Sequence, residues 1–195
     1  MEPVGNNEQI SDEELVVLAL GEQMYFGEIV ERYQDKLARY ITRLGVRNLE
    51  DREDVLQDIF VKVYKNLNGF DTSLSFSSWV YRIAHNEAIS WYRKVNVRPE
   101  GHLVDDTDPV FAVLSSKESD AEALFDEQVN ATQIAIALDK LDEKYRTVLV
   151  LRFFEHKEYE EISDILKIPT GSVGTLVHRG KKQLATHLDA EKIRV

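Results

Sequence analysis

Apolar positions recur along the chain at three- and four-residue spacing, the period of helices packed on one face. Ser11, Asp12, Glu13 and Glu14 precede an apolar run that includes Leu15, Val16, Leu18 and Ala19, so a capping box predicts a helix start there and a stop near Gly21. A second helix is predicted from Gln23 to Leu44, with Phe26, Ile29, Val30, Tyr33, Leu37, Tyr40, Ile41 and Leu44 on one face and Gly45 ending it. Asn48 is placed to cap a third, Leu49 to Asn66, whose buried stripe is Leu56, Ile59, Phe60, Val63 and, just beyond, Leu67. Turn formers fill 68–75. A fourth helix is predicted from Phe76 to Lys94, with Trp79, Val80, Ile83, Ala84, Ala88, Ile89 and Tyr92 toward a core.

The character changes between 96 and 120. Pro99, Gly101 and Pro109 with Asp105, Asp106 and Asp108 predict a flexible acidic linker, and residues 1–10 a disordered lead. Helices resume near Ala121. Val129, Ile134, Ala135, Leu138 and Leu141 pattern one. The next, capped by Asp142, carries Tyr145, Val148, Leu149, Leu151, Phe153 and Phe154. From Tyr159 to Leu188 the pattern is a short helix, a turn at Ile168 and Pro169, and a second helix striped by Val173, Leu176, Val177, Leu184 and Leu188. That is a helix-turn-helix pattern, and equally that of a helical hairpin in a core. No strand alternation or internal repeat stands out. The expected fold is all-α: a helical domain over 11–95, a linker over 96–120 and a helix-turn-helix domain over 121–195.

Charge complicates the DNA-binding reading. The net charge of −11 opposes free-standing attraction to nucleic acid, unless the basic face is local or a larger partner carries the chain to DNA. The linker acids would then restrain indiscriminate binding. The chain has no cysteine, which excludes thiolate metal sites and suits a reducing cytoplasm, the expected location. No apolar run approaches the ~18–20 residues that cross a bilayer, and the acidic, polar start is not a secretory signal. His85, His102, His156, His178 and His187 form no HExxH pattern, and phosphate-loop and nucleophile-elbow motifs are missing. The expectation is a non-enzyme without cofactor, metal or small-molecule substrate.

Two faces remain to be weighed. The third helix carries Asp51, Glu53, Asp54, Gln57 and Asp58, either a solvated face or a docking surface. The fourth interleaves aromatics with Arg82, His85, Asn86, Trp91, Arg93 and Lys94, either a half-buried amphipathic helix or a surface on which unstacked bases lie.

Glu53-Asp-Val-Leu-Gln-Asp-Ile-Phe60 and Phe76-Ser-Ser-Trp-Val-Tyr-Arg-Ile-Ala-His-Asn86 resemble the second conserved region of bacterial RNA polymerase sigma factors. Leu141-Asp-Glu-Lys-Tyr-Arg146, Tyr159-Glu-Glu-Ile162, Ile168-Pro169 and the run from Gly171 to Gly180 resemble the fourth. Their order, with a linker in place of a third domain, is similar to the extracytoplasmic-function (ECF) subfamily. The resemblance covers about 11–94 and 121–188. It implies a transcription initiation factor that binds core polymerase, at the clamp helices of the largest subunit and at the flap, reads −35 and −10 promoter elements, and helps melt DNA for a specific, stress-response gene set. It also implies an inhibitory anti-sigma partner.

Carried over residue by residue, the resemblance makes Glu53, Asp54, Gln57 and Asp58 the polymerase-docking face, with Phe60 assigned to the core. Asn68, Phe70, Ser75, Trp79, Arg82, Asn86, Arg93 and Lys94 become candidates for the −10 element, with Trp79 open between base contact and core. Thr170, Gly171, Gly174, Thr175, His178 and Lys181 lie along the outer side of the last helix for the −35 element, flanked by Arg179 and Lys182 for phosphates. Three departures stand out. Lys167 occupies a turn position where the family usually has glycine, predicting a strained backbone. Gly174 and Leu176 stand where basic residues are common, so few side chains face base edges, and readout should lean on phosphates and DNA shape. Ser90 replaces a common aspartate and inherits no role. Two other classes compete: a dimeric, ligand-sensing helix-turn-helix regulator, which would bind a palindrome unaided, and a helical partner protein that binds no DNA.

Overall fold

The computed structural model describes residues 10–97 and 131–192, and the expectations for the lead and most of the linker lie outside them. Among the described residues every regular element is helical. The order is α1 (Asp12–Gly21), α2 (Met24–Arg43), α3 (Leu49–Asn66), a 3-10 turn (Leu67–Gly69), α4 (Phe76–Val97), α5 (Ala131–Asp139), α6 (Glu143–Phe153), α7 (Tyr159–Leu166) and α8 (Thr170–Lys192).

The helix boundaries follow local chemistry. Ser11 caps α1 in a reciprocal box: its hydroxyl accepts from Glu14 N–H, and Glu14 accepts from Ser11 N–H. Asn48 Oδ1 accepts from the N–H groups of Glu50 and Asp51 and starts α3. Gly45, at φ +115°, turns the chain out of α2. α4 continues to Val97, past the boundary expected at 95.

In the first domain α1 to α4 enclose Leu15, Val16, Ile29, Leu37, Ile41, Ile59, Val63 and Val80, all buried. Aromatic rings fill one end: Phe76 meets Tyr33 and Phe70 edge to face at 5.6 and 5.4 Å, and Trp79 lies 5.1 Å from Phe70. The expected stripe of α3 is rotated slightly. Val55, Ile59 and Val63 are buried, while Leu56 and Phe60 pack half-buried at its margin. In α4 Tyr92, expected in the core, is exposed, and Tyr81 is buried instead. The cause is a second packing face on α4, which meets α7 of the second domain.

In the second domain α6 runs through the centre, with Val148, Leu149, Val150 and Leu151 all buried. α8 crosses it at close range. A Cβ at Gly180 would lie 3.2 Å from Leu149 Cγ and 3.4 Å from Tyr145 Cβ, so this glycine, a cost to an isolated helix, permits the approach of α8 to α6. The two domains pack directly against each other through α4 and α7. Arg146 ties the seam: its guanidinium donates to the carbonyls of Leu138, Asp139 and Leu141, and reaches Leu44 O at the end of α2.

Candidate nucleic-acid and partner interface

Three surfaces carry the residues singled out in the sequence. On α3 the side chains of Glu53, Asp54, Gln57 and Asp58 are all exposed. The three acids form no ion pair among the described residues, so their charge is not neutralised internally. Helical spacing continues this face into Val61 and Tyr64, which are 40% and 46% exposed. Neither belongs to the stripe expected to be buried, Leu56, Ile59, Phe60, Val63 and Leu67, nor to the acidic face as the sequence outlined it. Their exposure beside an unpaired acidic run gives the face apolar contact area as well as charge. Phe60, assigned to the core, is half-buried against it.

The second surface joins the loop at 68–75 to α4. Asn68 and Ser75 are exposed, and Ser75 Oγ accepts from Ser78 N–H at the start of the helix. Asp71 Oδ1 accepts from Ser73 N–H, which holds the Asp71 carboxyl below its ordinary range and shapes the turn. Leu74, at 61% exposure, is the loop's apolar tip and was missed in the sequence. Phe70 is not presented to solvent: it is buried between Phe76 and Trp79, so it shapes the loop from below. Trp79 is half-buried in that cluster, with part of its ring accessible.

From Trp79 the positions Arg82, Asn86 and Arg93 follow one side of α4 at three-, four- and seven-residue steps, with Lys94 beside them. Arg82 is half-buried; Asn86, Arg93 and Lys94 are exposed. At ~1.5 Å per residue this stripe is about 20 Å long. Beneath it His85 faces Tyr40, with 3.5 Å between Nδ1 and the hydroxyl oxygen. Burial, then the nearby Arg93 charge, pushes the imidazole down to about 4, so His85 is neutral near pH 7 and adds no cation here.

The third surface is α8. The turn before it is built as the sequence implied: Lys167 adopts φ 56°, ψ 43° where glycine would be unstrained. Ser163 Oγ donates to Ile168 O at 2.6 Å, and Ile168 N–H donates to Ser163 O, so the strained turn is pinned from both sides. Pro169 O then accepts the first helical bond, from Val173 N–H. Gly171, Thr175, His178, Arg179, Lys181 and Lys182 are exposed, and Thr170 and Gly174 half-buried. Gly174 lies under the Tyr159 ring, whose Cε2 would be 3.5 Å from a Cβ there. It therefore offers close backbone approach while holding α7 to α8. Arg179, Lys181 and Lys182 form no ion pair among the described residues, and Lys181 Nζ sits 5.7 Å from the Phe153 ring centroid.

Among the described residues no cluster of three or more His, Asp or Glu is placed to hold a metal ion, and no helix is long and apolar enough to cross a membrane. What the arrangement offers is recognition: an acidic face with apolar flanks on α3, an aromatic and basic stripe on α4, and an unpaired basic face on α8.

Comparison with known proteins bears on what is recognised. Residues 29–98 match the family model of sigma-70 region 2, and residues 132–184 that of sigma-70 region 4. The ECF RNA polymerase sigma factor SigW of Bacillus subtilis is 34% identical over 175 residues, spanning 86% of this chain and 91% of that protein. The ECF RNA polymerase sigma-E factor of Haemophilus influenzae is 30% identical over 181 residues, covering 91% and 95% of the two chains. Among solved structures, CnrH in complex with the cytosolic domain of CnrY aligns with a TM-score of 0.68 and 26% identity, over 92% of this chain and 97% of that one. The sigma factor RpoE in complex with the anti-sigma factor NepR, from Bartonella quintana, shares the fold with a TM-score of 0.62 at 19% identity, covering 84% of this chain and 96% of that one.

Proposed function

The chain belongs to the ECF RNA polymerase sigma factors, and from that premise we propose how its three surfaces divide the work of starting transcription. The acidic face of α3, through Glu53, Asp54, Gln57 and Asp58, docks on basic side chains of the clamp helices of core polymerase. Val61 and Tyr64 add apolar contact at its edge. Charge there speeds the encounter, and burial on docking then holds it.

The loop at 68–75 and the outer side of α4 read the −10 element as unpaired bases. A base edge is accessible to a side chain only after unstacking, and an exposed loop beside accessible aromatic surface offers a place for it to go. Asn68, Ser75, Trp79, Arg82 and Asn86 lie nearest that place, and Arg93 and Lys94 follow the phosphates. Phe70 supports the loop from within.

The face of α8 enters the major groove of the −35 element as duplex. Thr170, Thr175, His178 and Lys181 approach bases, Gly171 and Gly174 let the backbone come close, and Arg179 and Lys182 meet phosphates. With two glycines on the face, base-edge contacts are few, and DNA shape carries part of the discrimination.

The observation that carries this reading is the segregation of charge. In a chain of net charge −11, Arg179, Lys181 and Lys182 on α8 and Glu53, Asp54 and Asp58 on α3 form no ion pair among the described residues and lie on separate faces. That suits a protein delivered to DNA by a larger, nucleic-acid-binding partner. On the same reading the protein acts in the cytoplasm, is controlled by an anti-sigma factor, and catalyses no reaction of its own. The functional domains are 11–95 and 121–195, joined by the linker.

The test is a binding series with purified core polymerase. The isolated chain should be monomeric and bind duplex promoter DNA weakly. With core polymerase it should form a stable complex that selects particular fragments from a genomic library. A chain that dimerises and binds a palindrome without polymerase would overturn the proposal.

A further inference from the structure

The N-terminal helix makes one contact that none of the three surfaces accounts for. Glu13, half-buried in the first turn of α1, accepts from Phe76 N–H at 2.9 Å across 63 residues of sequence. Phe76 is the first residue of α4, and its N–H is one of the donors that a helix start leaves without a partner inside the helix. Ser75 Oγ takes a second, from Ser78 N–H at 3.2 Å, and Ser75 O accepts the first helical bond, from Trp79 N–H. A carboxylate at this end also meets the positive pole of α4. Glu13 makes no ion pair and no other side-chain hydrogen bond among the described residues. The rest of α1 is anchored separately. Leu15 and Val16 are buried in the core. Asp12 pairs with Arg32 at 2.5 Å and accepts from the Tyr33 hydroxyl, and Ser11 and Glu14 close the capping box.

The placement of this bond decides what it can do. α1 packs against the 3-10 turn Leu67–Gly69, where the loop at 68–75 opens, and against α4, where it closes. Inside the loop, the N–H groups of Ser73 and Leu74 both bond to Asp71, so its turn is held from within. Among the described residues, the bond to Glu13 is the only one from 71–76 that reaches beyond the loop and α4. The Phe76 ring lies 5.4 Å from Phe70 and 5.6 Å from Trp79, so the same residue joins the loop's buried base to the half-buried indole. Trp79 follows on the next turn of the helix. Where α4 begins therefore sets the gap between exposed Leu74 and Ser75 and the accessible part of the Trp79 ring. Without the bond, the aromatic cluster and the Ser75 cap still hold α4 in the fold, while its first residue frays from α1.

We propose that Glu13 is a positioning residue for the −10 element: through Phe76 N–H it fixes the start of α4, and with it the gap between the loop and Trp79 that receives an unpaired base. This rests on the proposed reading of the −10 element. Glu13 acts through Phe76 and touches no DNA. A gap ordered in advance spares the bound state the cost of ordering the loop, so the effect falls on binding of unpaired bases and on discrimination between them. Docking through α3 and duplex binding through α8 use other faces and stay as they are. An acid that only stabilised the fold would weaken all three together.

Two variants of the full-length chain separate these roles. Glu13→Ala removes the acceptor, and Glu13→Gln keeps an amide oxygen in its place. Each is assembled with core polymerase and titrated with fluorescent single-stranded oligonucleotides. One carries the −10 sequence that the parent holoenzyme selects, and the others are changed at one base. Glu13→Ala should bind the selected sequence up to about tenfold more weakly, the size of effect that one lost hydrogen bond to a charged group can have. It should also favour that sequence less over the changed ones. Glu13→Gln should retain most of the preference, because preference follows placement of the loop. Affinity for core polymerase and for a duplex −35 fragment should match the parent in both. Amide exchange in the free chain is the second measurement, and it applies even where Glu13→Ala joins polymerase poorly. Phe76 N–H should exchange faster in Glu13→Ala, with Ile59 and Val63 as in the parent. Unchanged Phe76 exchange, or equal losses of −10, −35 and polymerase binding, would overturn the role. A selective parent with an equally selective Glu13→Ala defeats this role alone. A parent holoenzyme that selects no −10 sequence defeats the −10 reading, and this role with it.

Discussion

The two domains present opposite electrostatic problems on the same all-helical architecture. The first exposes acids on α3 and basic residues on α4, and holds an aromatic cluster of buried Tyr33, Phe70 and Phe76 with half-buried Trp79. The second is smaller, carries Arg179, Lys181 and Lys182 on α8 with no ion pair among the described residues, and brings that helix tight against α6 through Gly180. Under the proposed division of work, the difference matches what each recognises. A helical protein surface takes a patch of mixed charge and apolar character, and unpaired bases take an aromatic-lined loop. Duplex DNA needs only a rigid rod of suitable charge that approaches closely.

The largest effect should come from the acidic face. Asp54→Arg combined with Asp58→Arg should weaken core polymerase binding by at least about 100-fold, as expected when docked charges are reversed. Both sites are exposed, so the helical signal and thermal midpoint should barely change. Unchanged polymerase affinity would leave α3 a solvated face and dissolve the contrast between the domains.

Acid should next separate the domains by stability. His85 in the first is held at about 4 by burial, below its ordinary 6.5. The unfolded chain therefore binds the proton more readily than the folded one between those values. Stability is fully present above about 6.5 and is lost as pH falls toward 4, by up to about 3 kcal/mol at ~1.4 kcal/mol per unit. Urea midpoints measured by fluorescence of Trp79 and Trp91, both in the first domain, should fall over that range in the parent. The slope should be shallower in His85→Gln, and an equal slope would contradict the assignment.

Packing of the second domain is tested at Gly180. Valine there meets Leu149 and Tyr145 at distances that leave little room, and should cost about 1–3 kcal/mol by overpacking. Circular dichroism should show helix loss at lower urea, before the tryptophan fluorescence changes. If Gly180→Val is as stable as the parent, α8 does not sit as close to α6 as described.

The smallest effects belong to single phosphate contacts. Arg179→Ala and Lys182→Ala should each weaken holoenzyme binding to promoter fragments by about three- to tenfold. Each should lower the slope of log affinity against log salt by about 1, without changing which fragments are selected. A change in selected fragments would move these residues to base reading.

Much of this was legible before the fold. Local signals set α1 and α3 because their caps lie within three residues of the helix start, and Lys167 marked itself by standing in a turn position that favours glycine. Phe70 was misjudged because a loop of turn formers reads as exposed, and nothing in the sequence shows that its ring docks on Phe76. Val61 and Tyr64 were left unassigned, apolar residues on a helix that happen to face out. The seam was not legible at all. Arg43 and Glu155, which pair across it, each look like a solvated charge, and that pairing is a property of two domains meeting.

Run-off transcription decides the central claim most directly. Core polymerase is supplied with genomic fragments, with and without the chain, and the transcripts are mapped. The expected result is a small set of discrete start sites that appear only with the chain, each preceded by shared −10 and −35 sequences, and that vanish with Asp54→Arg and Asp58→Arg. A complex that forms with core polymerase and initiates at none of the fragments, or a chain that never joins the polymerase, would contradict it.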